Sequence, residues 1–290
     1  MLVGTHDGHF HCDDVMCYAI LKLLYKDIKL IRTRDEEELE KCDILFDVGE
    51  KHDPFNQVFD HHFVDSPVRN NGVPYASAGL VWEHFGIDLL AKKLPNRSLK
   101  ELSEIHHKID RDIMQSIDAH DTYYSPAHYC KHYTLPQVIS SFLPSWYDFD
   151  LMDEQFIKAS DVCVDILDNN LDYLNSLYEA ERLILEKYEE FKGSKVLVLD
   201  YFAPFQPCIQ KHNLDVDAII YKVKEGEWLI QAVSQKTGRK LFPKDWAGKK
   251  GEELDKAAKI KGTVFCHPAR FAAGHTTKEG AIDMFKMLGK

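Results

Sequence analysis

The chain has 290 residues, with 36 Lys and Arg against 47 Asp and Glu and a formal net charge of -11. Hydrophobic residues at 44% and charged residues at 29% describe a soluble globular protein and argue against disordered, collagenous and membrane classes. At roughly 150 residues per domain the length suggests about two domains, and bulk acidity argues against nucleic acid coating the whole surface.

Met1–Thr5 reads as a short apolar strand, followed by a polar turn and a helix from Asp13 to Tyr25. Asp13 and Asp14 stand where acidic side chains favour a helix start. Lys29–Thr33, Ile44–Val48 and Gln57–Asp60 are further strands. The second of these (ILFDV) is nearly all apolar, as a buried parallel strand should be. Ser77 opens a helix for which Gly86 is the expected stop. Residues 100–121 are predicted helical, and residues 122–150, rich in Tyr, His and Pro, read as irregular structure or short helices. Asp153 to Phe191 carries apolar residues at helical spacing, with a break expected near Asn169-Asn170.

After Gly193 the pattern switches. Lys195–Leu199, Ala218–Val223, Trp228–Ser234 and Gly262–Cys266 are strands, and a glycine-containing turn precedes a final helix from Lys278 to Leu288. The expected fold is α/β: an N-terminal, mainly parallel sheet with flanking helices over 1–152, a connecting helical segment over 153–192, and a smaller α+β domain over 193–290. Charge divides at the same place. Residues 1–192 hold 19 Lys and Arg against 36 Asp and Glu, whereas residues 193–290 hold 17 against 11.

The seven cysteines are scattered and never spaced as C-x-x-C, so neither a disulfide framework nor a cysteine zinc site is signalled. The first residues read as neither a signal peptide nor an Arg-rich presequence, so none is expected in this stretch. An intracellular protein, cytoplasmic or nuclear, is the expectation; a mitochondrial presequence would have to lie outside this chain. Twelve of the 15 histidines fall in the first 132 residues, which is where metal chemistry is sought.

Imidazoles and carboxylates gather at strand ends. His6 follows the first strand, with His11, Asp13 and Asp14 close behind. Asp47 closes ILFDV, Asp60-His61-His62 closes the next strand, and Asp118 and Asp121 end the later helix. The carboxyl ends of parallel strands share one edge of a sheet, where ligands bind. Two divalent ions need a carboxylate between them, and Asp47 is the natural bridge. Oxygen and nitrogen ligands without thiolate suit manganese and tolerate magnesium or zinc. Such a pair would polarise a phosphate ester and activate a water for attack at phosphorus. Each residue alone has a plainer reading: a strand-end Asp is usually a turn or cap residue. His9 reads as a solvated turn residue, and His106, His107 and His128 as surface or packing histidines.

Gly4-Thr5-His6-Asp7-Gly8, Phe10-His11-Cys12-Asp13, Asp47-Val48-Gly49 and Asp60-His61-His62 together resemble the melanocyte proliferating gene family, which looks like a branch of the DHH phosphoesterase superfamily. Ile31-Arg32-Thr33-Arg34-Asp35, Ser77-Ala78-Gly79-Leu80, Asp118 with Asp121, Trp228, Ile230-Gln231 and Gly274-His275 extend the match over nearly the whole chain. The resemblance implies a two-manganese phosphoesterase domain, a smaller substrate-binding domain, and 3′-to-5′ exoribonuclease activity. It implies His6, His11 and Asp47 on one metal, and Asp13, Asp47, His61 and Asp121 on the other. His62 would contact the phosphate and Asp60 would orient the histidine pair. Two departures stand out: His11 occupies the place of the first Asp in the superfamily's His-x-x-x-Asp-x-Asp motif, and Ala273-Gly274-His275 replaces Gly-Gly-His.

In the second domain, Gly274, His275, Thr276, Thr277 and Lys278 stand at a helix N-terminus, a ready anion site. Lys236, Arg239, Lys240, Lys244, Lys249 and Lys250, interleaved with Phe242 and Trp246, have the composition of a single-stranded nucleic-acid surface; a solvated lysine-rich loop fits equally. Arg32 and Arg34 have the reach to meet a phosphate or simply to be solvated. Single-stranded or short RNA is the expected substrate, with no membrane association. Two rivals stay open: a phosphatase or pyrophosphatase for a small substrate, and a metal-binding regulator without turnover.

Overall fold

A computed structural model describes residues 1–124, 134–235 and 238–290. Packing divides the chain into two compact units, Met1–Leu174 and Asn175–Lys290. Each holds a five-stranded sheet.

In the first unit the chain runs β1 (Leu2–Thr5), α1 (Cys12–Leu24), β2 (Lys29–Arg32), α2 (Glu36–Leu39), β3 (Ile44–Phe46), β4 (His52–Asp53) and β5 (Val58–Phe59). The helices α3 (Ser77–Lys93), α4 (Leu99–Ile109), α5 (Gln115–Asp121) and α6 (Leu135–Ser140) follow. The sheet order is β2-β1-β3-β5-β4, parallel throughout except for the short edge strand β4. The expected mainly parallel sheet is present. The helix α2 and the strand β4 were not anticipated, because four and two residues are too short to show a period.

Gly86 does not stop α3, which continues for two turns to Lys93. It is a packing glycine instead: a Cβ there would lie 2.7 Å from the ring of His106, which stacks on Trp82 with centroids 5.1 Å apart. The predicted helix over 100–121 forms in three parts, because one π-helical turn (Asp110–Met114) joins α4 to α5. Such insertions rotate the side chains that follow and recur at functional sites.

The helix α7 (Met152–Glu190) is continuous over 39 residues. The break expected at Asn169-Asn170 does not occur. Asn170 Nδ2 donates to the carbonyl of Ile166, 2.8 Å away and one turn back, so its amide is satisfied within the helix. The first half of α7 buries Phe156, Cys163, Leu167 and Leu171, whereas Ala180 and Ile184 belong to the second core.

The second unit contains β6 (Val196–Leu199), α8 (Gln206–His212), β7 (Ala218–Lys224), β8 (Glu227–Ala232), α9 (Gly251–Ala258), β9 (Thr263–Cys266), β10 (Ala272–His275) and α10 (Lys278–Phe285). The order is β6-β7-β8-β10-β9; only β6 with β7 is parallel. The residues expected to form a glycine turn before the last helix instead form β10, an interior strand between β8 and β9. Gly274 is extended there, and a Cβ would press 3.0 Å from the ring of Phe265. Among the described residues no helix is long and apolar enough to cross a membrane.

Candidate metal centre

The strand order positions the site. β1 pairs with β2 on one side and β3 on the other, so the connections leaving β1 and β3 diverge and open a crevice at the strands' carboxyl ends. His6 follows β1 and Asp47 follows β3. Asp47 leaves the strand in a left-handed conformation (φ 55°) and Gly49 continues the turn (φ 106°). That is why β3 ends at Phe46 rather than at Val48. Asp tolerates this backbone better than most residues do, and the turn points its carboxylate back over the sheet edge.

Three imidazoles converge on Asp47. His6 Nε2 lies 3.1 Å from Oδ2, and His61 Nε2 and His62 Nδ1 lie 3.4 and 3.5 Å from Oδ1. Ser77, at the first turn of α3, donates to Oδ1 at 3.1 Å. His6 is itself oriented by Nδ1–H donation to the carbonyl of Asp7 at 2.8 Å. That bond leaves Nε2 facing the carboxylates, the arrangement found at metal-ligating histidines.

Asp60 organises the next pair. Its Oδ1 accepts from the backbone N–H groups of His61 (2.7 Å) and His62 (3.1 Å) and from His62 Nδ1 (2.8 Å). Its Oδ2 accepts from Glu50 N–H at 2.6 Å. Burial opposes the charge on Asp60, but these donors hold its carboxyl below the usual range.

Asp13 and Asp14 arrive from the first turn of α1. Asp14 Oδ1 accepts from His11 N–H at 3.0 Å and caps the helix, while its Oδ2 lies 3.4 Å from His6. Asp13 is fully buried and neither carboxylate oxygen has a hydrogen-bond partner. Its nearest basic group is His61, 3.7 Å away. Asp121, the last residue of α5, lies 3.2 Å from His61 and 3.6 Å from His11. Three overlapping groups have ligand atoms within 4.8 Å of one another: His6, His11 and Asp47; Asp47, His61 and His62; and His11, Asp13 and Asp121.

The electrostatics are those of a concentrated negative site. Burial and the neighbouring charge of Asp47 push Asp13 well above the usual carboxylate range and Asp14 up to about 8. Burial disfavours charge on His6 and His61, but Asp47 with Asp14 raises His6 to about 9, and Asp121 with Asp47 raises His61 to about 10. Asp47 is held low because hydrogen bonds from His6 and His61 outweigh its burial. A buried carboxylate with no donor costs several kcal/mol unless paired. A divalent cation is the group that would satisfy Asp13, so the residues present fit a metal. Beside them opens a cleft of about 860 Å³, lined by His6, His9, His11, Arg34, Glu50 and His62 among others.

Other expected site residues are engaged elsewhere. Asp118 accepts from Gly79 N–H at 3.0 Å and pairs with Arg69 at 2.7 Å. Burial pushes it up to about 7 against the pull of Arg69. It locks α5 to the start of α3 rather than facing the cluster. Arg69, which no sequence motif singles out, also grips Asp110 at 2.6 Å and lies over the ring of Tyr75. Arg32 has a 2% exposed side chain and donates to the carbonyl of Gly8 at 2.7 Å and to Asp153 at 2.8 Å. It is neither solvated nor free for phosphate. Arg34 lines the cleft, exposed, with Asp7 at 3.5 Å.

In the second unit, His275 is buried, with Nε2 2.8 Å from the carbonyl of Lys261 and Nδ1 accepting from Thr277 N–H at 2.9 Å. Neither ring nitrogen is left for a ligand. Ala273 points its methyl into the core. Thr277 caps α10 through Gly280 N–H. Thr276 and Lys278 keep accessible side chains, the ammonium of Lys278 lying 6.0 Å from the Trp228 ring centroid. Phe242 and Trp246 are not surface stacking groups: both are buried and stacked on each other at 5.6 Å. Lys240 pairs with Asp217. Lys236 and His128 lie outside the described residues.

Comparison with known proteins agrees with these motifs. A family model for MYG1 exonuclease, described as an uncharacterised protein family (UPF0160), matches residues 2–288. The MYG1 exonuclease of Homo sapiens is 30% identical over 97% of this chain and 84% of its own length. An MYG1 protein of Schizosaccharomyces pombe is 31% identical over 97% of this chain and 95% of its own. A crystal structure of an uncharacterized protein from Helicobacter pylori G27 covers 96% of this chain and 94% of its own at 13% identity, with a TM-score of 0.27, too low to carry an argument. The matched span and the two relatives place the chain plainly: it belongs to the MYG1 family.

Proposed function

We propose that this protein is a divalent-metal-dependent phosphodiesterase that removes nucleotides from the 3′ end of single-stranded RNA. The observation that carries this is the convergence of His6, His61 and His62 on Asp47 beside the orphaned carboxylate of Asp13. The exonuclease name of the Homo sapiens relative supports the nuclease reading.

His6, His11, Asp13, Asp47, His61 and Asp121 would hold two divalent ions, with Asp47 shared between them. An oxygen and imidazole set without thiolate favours manganese. When bound, the ions would supply Lewis acidity and a hydroxide at neutral pH. The chain's own residues do the remaining work. Asp60 fixes the backbone of His61 and His62 and accepts the Nδ1 proton of His62. His62 thereby presents Nε2, and Asp60 raises its proton affinity. A protonated Nε2 would donate to a non-bridging phosphate oxygen as charge develops there. Ser77 keeps Asp47 aimed at the cleft. In the second unit Thr276 and Lys278 keep accessible side chains with the chemistry to take a phosphate.

Incubation of the manganese-loaded protein with end-labelled RNA, pyrophosphate and nucleoside bisphosphates tests the reading. The expected result is stepwise shortening of RNA from its 3′ end, lost on chelation. Phosphate release from pyrophosphate with RNA left intact would replace it with the small-substrate phosphatase.

A further inference from the structure

We infer that His9 and Phe149 form a shelf on which the terminal nucleobase of a single-stranded nucleic acid stacks beside the metal cleft. The inference deepens the phosphodiesterase reading above and rests on it.

The rings of His9 and Phe149 are stacked, with centroids 5.7 Å apart and an interplanar angle of 20°. His9 is exposed and lines the cleft that holds His6, His11 and Asp47. Phe149 is 53% exposed, so the pair is not a core contact and ring surface stays accessible to solvent. Trp146 and Tyr147, in the same segment, are 81% and 68% exposed. Three large exposed aromatics within four residues leave much apolar ring surface in water without a burial reason, which marks a binding surface.

The shelf is braced from both sides by one residue. Arg32 is nearly fully buried against the rings of Phe10 and Phe156. It holds the carbonyl of Gly8, next to His9, and the carboxylate of Asp153, at the start of α7 four residues beyond Phe149. Gly8 has φ +82°, so the turn that presents His9 suits glycine. Bracing of this kind lowers the ordering cost of binding.

The chemistry of the cleft selects the base. Its described lining includes Asp7, Glu36, Asp47, Glu50 and Asp60, with Arg34 the one Lys or Arg among the described lining residues. An acidic wall repels a phosphate everywhere except at bound cations, whereas a neutral base is tolerated. Aromatic stacking accepts any base because every base has a π-face.

The test compares the manganese-loaded full chain on a single-stranded oligoribonucleotide with an intact 3′-terminal nucleotide and on one whose terminal sugar lacks its base. Stacking of one base predicts that the wild type prefers the intact end by roughly ten- to a hundred-fold in kcat/KM. That ratio should fall toward one in His9→Ala and Phe149→Leu, and survive in His9→Phe and Phe149→Trp. A wild type indifferent to the missing base, or a ratio untouched in the first two variants, overturns the inference while sparing the nuclease. A second arm reads stacking without cleavage, through quenching of a 3′-terminal 2-aminopurine on binding. Quenching that depends on His9 and Phe149 in a protein that cleaves no RNA supports the shelf and overturns the nuclease. No quenching overturns the shelf.

Discussion

The two sheets of this protein end their strands in opposite ways. At the carboxyl ends of β1, β3 and β5 stand His6, Asp47 and Asp60, and the neighbouring Asp13 keeps two buried oxygens without a donor. At the end of β10 stands His275, equally buried, with both ring nitrogens occupied by Lys261 and Thr277. Both histidines have partners on both ring nitrogens, but those of His6 include a carboxylate within an acidic cluster whereas those of His275 are backbone groups. Burial of a polar group therefore does not by itself identify a site; both oxygens of one buried carboxylate left without a donor, amid imidazoles, point to one. The difference follows from topology: parallel strands bring several chain connections to one edge, whereas the antiparallel ladder around β10 lets its neighbours satisfy its end.

Mutations in each sheet can break that contrast. Asp47→Asn, which keeps a side chain suited to the left-handed backbone, should lower hydrolysis by about a thousand-fold or more, beyond the scale of losing one preorganised donor, with the folded state retained. Substantial turnover in this variant would show that the cluster is not the reaction centre. Trp246→Ala should instead cost about 3–5 kcal/mol of stability and leave cleavage per folded molecule near wild type, as denaturant titration beside a rate assay would read. His275→Ala belongs with it: leaving the Lys261 carbonyl and the Thr277 N–H unpartnered should cost about 1–3 kcal/mol. Lost activity at full stability would instead make His275 a ligand-binding residue. Asp60→Asn should weaken metal affinity about 10–100-fold, the usual effect of losing an outer partner of the ligands, measurable by metal titration.

The smallest effect is the pH dependence of that affinity. His6 and His61 are raised to about 9 and about 10 in the metal-free protein. The stability they contribute is fully present below the unfolded value near 6.5 and is lost as pH rises through those folded values. A cation requires the neutral rings, so binding at pH 7 should expel protons and tighten as pH rises toward 9. Calorimetry in buffers of different ionisation enthalpy would count them. Binding without proton release would mean these imidazoles are not ligands.

Much of the first sheet was legible because its signals are local. Asp47 closes an apolar run, Asp60-His61-His62 closes another, and alternation of strands with helices implies a shared edge. Arg69 was illegible: nothing in a lone arginine indicates that it will lock Asp110 and Asp118. The second unit misled because Phe242 and Trp246, spaced among lysines, have the composition of a surface and the burial of a core. A glycine before a helix likewise has two physical uses. Only packing against Phe265 shows that Gly274 serves close approach within a strand.

Residue types at strand ends already disclose which chemistry the chain has available, and the alternation of strands with helices implies a parallel sheet on which to gather them. Which of those residues face one another depends on long-range packing. That packing placed Asp13 without a donor, satisfied His275 and Asp118, buried Arg32, and set His9 against Phe149. Periodicity is a property of neighbours along the chain, whereas partnership belongs to groups brought together across about 140 residues, as with His9 and Phe149.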